Sequence, residues 1–192
     1  MRLVLATRNE HKLREFRALL EPHELVPLPD DLSLPPETGA TFEENARAKA
    51  EAACRATGEP AIADDSGIEA AALGSRPGVR SARYAGEGAT DEENLAKLLA
   101  EVPDDGDRRV AYVCALAHAE PDAETRVFIE RCEGELAREP RGEGGFGYDP
   151  AFVPTGSADG RTMAELSVAE KDAISHRGRA ARAFLGWLGG RS

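Results

Sequence analysis

The chain has 192 residues, 41% of them hydrophobic and 31% charged, which suits a globular domain or two merged lobes with a core that needs no staples. It carries 24 basic and 35 acidic residues, a net charge of −11, and a surface that acidic argues against nucleic acid or an anionic membrane as partner. No apolar run approaches the length of a bilayer span, and a small anionic substrate is compatible with this charge only where cations converge locally.

The run Leu3-Val4-Leu5-Ala6 reads as a buried strand. It opens the chain without the zones of a signal peptide, so a cytoplasmic protein is expected. Thr7-Arg8-Asn9 then caps a helix over residues 10–20, with Leu13, Phe16, Leu19 and Leu20 on one face and Pro22 as its stop. Residues 24–28 suit a second strand, followed by an irregular proline-rich loop. Thr41 with Glu44 predicts a capping box for a helix over 42–57 that Gly58 closes. Ala61-Ile62-Ala63 reads as a short strand ending in a turn at Asp64-Asp65-Ser66-Gly67; residues 68–73 suit either strand or helix, with strand preferred, and residues 74–88 a loop. Thr90 with Glu93 starts another helix, with Leu95, Leu98, Leu99 and Val102 as its apolar stripe. Residues 110–118 and 126–136 predict two long strands forming an antiparallel pair, residues 142–147 a glycine-rich loop, and residues 151–153 a short strand. Ser167 and Ser175 suit helix N-caps, and the last helix buries Ala181, Phe184, Leu185 and Leu188. The alternation predicts an α/β fold with a mixed sheet. Cys54, Cys114 and Cys132 are odd in number and widely spaced, which predicts buried free thiols rather than a disulfide framework or a zinc ribbon.

Four segments are more polar than a scaffold needs. Thr7-Arg8-Asn9-Glu10-His11-Lys12 lies at a helix N-terminus, where free N–H groups and the helix dipole suit a phosphate. Asp64-Asp65-Ser66-Gly67 offers hard carboxylate oxygens of the kind Mg²⁺ takes, together with phosphates and water. In Gly142-Glu143-Gly144-Gly145-Phe146-Gly147-Tyr148-Asp149-Pro150 the glycines allow close approach to a flat ligand, and Phe146 or Tyr148 offers a stacking face. Lys171, His176 and Arg177 gather cations at the start of the last helix. Lysine is scarce in this arginine-rich chain, at Lys12, Lys49, Lys97 and Lys171, which suggests that a compact point charge is wanted there. Glu37 in the proline-rich loop is a further candidate metal ligand, whereas His23, His118 and Trp187 read as structural. Each segment alone also has a structural reading: a capped helix, a polar turn, a hairpin loop, a helix corner.

Taken in order, the motifs resemble the inosine/xanthosine triphosphate pyrophosphatase family. The match runs through Leu5-Ala6-Thr7-x-Asn9-x-x-Lys12-x-x-Glu15, Glu37-Thr38-Gly39-x-Thr41-Phe42-x-Glu44-Asn45-Ala46 and Ala63-Asp64-Asp65-Ser66-Gly67. It continues through Pro77-Gly78-x-x-Ser81-Ala82-Arg83-Tyr84 and Gly144-Gly145-Phe146-Gly147-Tyr148-Asp149-Pro150, and ends with Ala164-Glu165-Leu166 leading to Glu170-Lys171 and Ile174-Ser175-His176-Arg177-Gly178. The resemblance implies a long twisted mixed sheet with two lobes around a nucleotide-binding cleft, usually as a homodimer, and hydrolysis of ITP, dITP or XTP to monophosphate and pyrophosphate. It implies Asp65 as proton acceptor and Mg²⁺ ligand, with Glu37 assisting at the metal. Thr7, Arg8, Asn9, Glu10, His11 and Lys12 would hold the triphosphate, and Ser66 would touch substrate. Phe146, Gly147, Tyr148 and Asp149 would line the base and sugar pocket, and Lys171, His176 and Arg177 would hold phosphate or the base edge. Arg8 and His11 stand where many relatives have glycine, and Pro36 replaces a first acidic residue before Glu37. The rival readings are a Maf-like pyrophosphatase acting on other nucleotides and a nucleotide-binding protein without catalysis. A P-loop is excluded, since no G-x-x-x-x-G-K-[ST] run exists.

Overall fold

The computed structural model describes residues 1–157 and 159–191. Seven strands, β1 (Arg2–Leu5), β2 (Glu24–Pro27), β3 (Ala61–Ala70), β4 (Arg76–Pro77), β5 (Arg109–Ala119), β6 (Arg126–Leu136) and β7 (Phe152–Pro154), form one sheet in the order β2-β1-β3-β5-β6-β7, with β4 on β3. The sheet is mixed, as expected: β1 lies parallel to β2 and β3, while β4 and β7 run antiparallel to β3 and β6. Among the described residues five α-helices accompany the sheet: α1 (Glu10–Leu19), α2 (Phe42–Thr57), α3 (Asp91–Glu101), α4 (Val168–Ile174) and α5 (His176–Gly189).

The chain forms two compact units. The first comprises Met1–Asp65, Cys114–Glu130 and Arg177–Ser192, and the second Ser66–Val113 and Arg131–His176. Each has its own apolar core. In the first, Leu3, Leu5 and Ile62 pack with Phe16 and Leu20 of the α1 region and with Ala180, Ala181 and Phe184 of α5. In the second, Ile68, Val110 and Tyr112 pack with Leu95 and Leu98 of α3 and with Phe152 and Met163.

Most helix ends follow the capping chemistry of the sequence. Asn9 accepts from the amides of His11 and Lys12, and Gly58 closes α2 in the left-handed conformation. Thr90 and Glu93 form the expected capping box, and Ser167 with Glu170 forms another at α4. At α2 the expected box is modified: Thr41 accepts from Glu44 N–H, but the Glu44 carboxylate turns to the amide of Ala40.

The largest departure from expectation concerns Asp64-Asp65-Ser66-Gly67. No turn forms there, because β3 runs unbroken from Ala61 to Ala70. Local turn preference is overridden by ladder pairing to β1 near one end and β4 near the other, and by cations that meet both aspartates. Beyond Ala70 the expected strand stops, and Ala71–Leu73 is a 3₁₀ turn. The expected loop over 74–88 contains β4 and a 3₁₀ segment, Gly78–Arg83. All three cysteines are buried thiols outside any disulfide.

Candidate active site

In the first unit, side chains alternate across β3, so two adjacent aspartates meet different neighbours. Asp64 is fully buried, and its Oδ2 lies 2.9 Å from Lys12 Nζ of α1 and 3.6 Å from Arg177 Nε of α5. Arg177 also reaches Glu15 Oε2 at 3.1 Å. Burial opposes the charge on Asp64, but Lys12, Arg177 and Lys49 outweigh it and hold its pKa far below the usual carboxylate range.

Asp65 turns toward α2 and the loop before it. Its Oδ2 accepts from the side-chain amide of Asn45 at 2.9 Å, and its Oδ1 lies 3.7 Å from Lys49 Nζ. The same ammonium donates to Glu37 Oε1 at 2.5 Å, so Lys49 joins the two carboxylates proposed from the motifs. The Asn45 carbonyl accepts the N–H of Gly39 at 2.8 Å, which ties the Glu37 loop to the Asp65 carboxylate. Burial raises the pKa of Asp65; Lys49 and the Asn45 bond oppose that shift, and the Glu37 charge adds to it. Lys49 is raised despite its burial, because Asp64, Asp65 and Glu37 surround it with negative charge.

The second unit assembles another polar group around Asp149. This buried carboxylate accepts from Lys171 Nζ at 2.8 Å and from Phe146 N–H at 3.0 Å through Oδ2, and from Tyr112 O–H at 3.1 Å through Oδ1. The glycine-rich loop wraps the carboxylate so closely that a Cβ on Gly145, at φ +71°, would sit 2.1 Å from Asp149 Oδ2. Lys171 Nζ lies 5.1 Å from the centre of the Phe146 ring, a cation–π contact. The buried imidazole of His176 stacks on Tyr112, with centroids 4.6 Å apart and planes 11° from parallel.

The motif residues therefore separate by what they touch. Lys12, Asp65, Glu37 and Arg177 meet in the first unit, and Phe146, Asp149, Lys171 and His176 in the second. Arg8 is occupied in holding the proline-rich loop, donating to the carbonyls of Leu28, Pro29 and Leu32 at 2.6–2.9 Å. Asn9 spends its side-chain oxygen on the N–H groups of His11 and Lys12, two of the donors expected to face a phosphate. Thr7 accepts from Asn9 N–H, His11 contacts Arg14, and Glu10 is an exposed acid in the first turn. Tyr148 is a buried anchor that donates to the Ser81 carbonyl at 2.7 Å, rather than an open stacking face. Gly147 N–H bonds Asp91 at 2.7 Å, and Ser66 is half-buried in β3.

Asn45, Lys49 and Tyr112 received no site role from the sequence, although Asn45 stands in the Glu37–Ala46 motif and Lys49 is one of the four lysines whose scarcity stood out. A second signal was legible for the α2 pair: Asn45 and Lys49 are four apart on the face that carries Ala46, Ala50 and Ala53, so two polar residues interrupt an otherwise apolar stripe. Tyr112 sits in a hydrophobic strand where nothing local distinguishes it from packing.

A model of the Ham1 family matches residues 3–187. The chain is 49% identical over 198 residues to a protein of Geobacter sulfurreducens named dITP/XTP pyrophosphatase, covering 98% of each. It is 51% identical over 193 residues to a protein of the same name from Mycobacterium tuberculosis, covering 96% of this chain and 93% of the relative. Among solved structures it resembles the Staphylococcus aureus Ham1 protein with a TM-score of 0.89, at 41% identity over the whole of both chains. A HAM1 protein from Coxiella burnetii matches with a TM-score of 0.86, at 44% identity over 99% of each chain.

Proposed function

Because the chain belongs to the Ham1 family, we propose that it hydrolyses deaminated purine nucleoside triphosphates such as ITP, dITP and XTP to the monophosphate and pyrophosphate. The observation that carries this reading is the convergence of Lys12, Lys49 and Arg177 on two buried aspartates and Glu37. Attack at the α-phosphate needs an aligned water, a proton acceptor and cations on the departing charge. Asp65 suits the acceptor: it is buried, its pKa is raised toward working pH, and Asn45 fixes one of its oxygens. Lys12 and Arg177, both paired with Asp64, would exchange part of that pairing for phosphate oxygens.

The donor set fits Mg²⁺. Asp65 and Glu37 supply hard carboxylate oxygens that already share one cation, Lys49, and Mg²⁺ commonly takes one or two carboxylates with phosphate and water filling the rest. Among the described residues no group of three or more Asp, Glu, His or Cys side chains is placed to hold a metal ion, so phosphate oxygens and water would have to fill most of the coordination. When bound, Mg²⁺ would neutralise phosphate charge and polarise the scissile centre.

In the second unit, Asp149 suits base recognition. A carboxylate held by Lys171 is an acceptor only, so it favours a purine edge that offers N1–H, as 6-oxopurines do, over adenine, whose N1 is itself an acceptor. His176, stacked on Tyr112, is the candidate donor to the 6-oxo group in the same reading, while the pairing of Arg177 with Asp64 and Glu15 favours a phosphate role for it. The family resemblance adds a cytoplasmic homodimer, which light scattering after size exclusion tests.

The decisive assay supplies dITP and Mg²⁺ and separates the products. Monophosphate plus pyrophosphate is the expected outcome, and diphosphate plus phosphate would overturn the bond assignment. Binding without turnover would favour a non-catalytic nucleotide-binding protein, and a preference for modified pyrimidine nucleotides the Maf-like alternative.

A further inference from the structure

Tyr112 stands where no motif called for a polar residue, in the apolar strand β5, yet it touches two of the groups gathered in the second unit. Its hydroxyl donates to Asp149 Oδ1, and its ring lies flat against the His176 imidazole. The opposite oxygen of Asp149 is taken by Lys171 and by Phe146 N–H, so the Tyr112 bond settles the remaining rotation of the carboxylate. Phe152 packs at 4.5 Å from the Tyr112 ring, and Phe152 is fully buried, so the ring is fixed by the core of that unit. A hydrogen bond to a buried carboxylate and a flat stack on an imidazole both restrict orientation, and they meet here in one side chain.

We infer that Tyr112 is a positioning residue for base discrimination, which sets the Asp149 carboxylate and the His176 imidazole at a fixed angle to each other. This deepens the base-recognition role proposed for the second unit and rests on it. The hydroxyl holds the acceptor and the ring holds the donor, so a purine presenting N1–H beside a 6-oxo group meets both at once. Adenine, with the reverse pattern, meets neither. Tyr112 touches no reacting atom, so its contribution belongs in substrate choice and not in the hydrolytic step.

The test compares kcat/KM for dITP with kcat/KM for dATP in Tyr112→Phe, Tyr112→Leu and Asp149→Asn, with Tm measured for each. Tyr112→Phe keeps the ring and removes only the hydroxyl; the dITP/dATP ratio is expected to fall by about tenfold, through KM for dITP, with little change in kcat. Tyr112→Leu also loses the stack and should fall further. An unchanged ratio in both Tyr112 variants, a uniform loss of kcat for all nucleotides, or failure of Tyr112→Phe to fold would overturn the inference by making the residue structural. Asp149→Asn separates the two levels. If it also keeps the wild-type ratio, the base-recognition reading fails; if it loses the ratio while both Tyr112 variants keep it, only the role of Tyr112 fails.

Discussion

Asp64 and Asp65 share a strand and a burial depth, yet their surroundings move their acidities in opposite directions. Asp64 meets Lys12 at 2.9 Å and Arg177 at 3.6 Å, and their attraction exceeds the cost of burial. Asp65 has its nearest cation at 3.7 Å and the Glu37 charge as a neighbour, so burial prevails. The first is suited to organising cations and the second to accepting a proton. Asp65→Asn should therefore keep the fold and lower kcat by on the order of 10²–10³, and near-normal kcat in a folded variant would remove Asp65 from catalysis. Asp64 makes a separate prediction about stability. Its folded pKa lies below its ordinary value of 3.8, so it stabilises the fold fully above that pH and loses the contribution as pH falls toward the folded value. The stability gap between the wild type and Asp64→Asn should thus be widest near neutrality and narrow below about pH 4. Urea denaturation across that range reads it directly, and a gap independent of pH would show that the ion pairs add nothing.

At the scale of elements, capping chemistry was legible and the central strand was not. Asn9, Thr41, Thr90 and Ser167 announce their helices because a side-chain oxygen must meet a helix amide within three residues, a local requirement. Asp64 to Gly67 carries the same kind of local signal, here for a turn, yet it lies inside β3 because the neighbouring strands and the cations of α1, α2 and α5 are distant in sequence. The candidate residues were legible where a family motif holds them. Asn45 stands in such a motif, but its bond to Asp65, 20 positions away, was not legible, and Tyr112, 37 positions from Asp149, lies in no motif at all. Gly67 shows how the local reading of β3 changes. Its φ is not left-handed; a Cβ there would stand 2.3 Å from Ser81 Oγ and 2.7 Å from the Gly78 carbonyl, so the residue is small because β3 is crowded. Gly67→Ala should destabilise by about 1–3 kcal/mol by overpacking, seen as a lower Tm. A Tm equal to the wild type would mean that the Gly78–Arg83 segment yields without cost.

At the scale of the whole molecule, the two units are compact but not consecutive in the chain. The backbone passes between them four times, at Asp65, Val113, Glu130 and His176, and three of those passages lie inside β3, β5 and β6. Unfolding either unit alone would require breaking three strands midway along their length, so the chain should unfold as one cooperative body. Its aromatic residues make this measurable without labels. The single tryptophan, Trp187, lies in the first unit, packed against Phe184 and His118, while all three tyrosines, Tyr84, Tyr112 and Tyr148, lie in the second. Urea transitions followed by Trp187 fluorescence and by tyrosine near-UV circular dichroism should coincide. The sharper form uses Leu98→Ala, which opens a cavity in the second core at a fully buried position and should cost about 2–5 kcal/mol. If the units are coupled, that substitution moves the tryptophan transition by the same amount as the tyrosine transition, although Leu98 belongs to the other core. A tyrosine midpoint that falls while the Trp187 midpoint stays fixed would mean that the continuous strands do not bind the two cores into one cooperative unit.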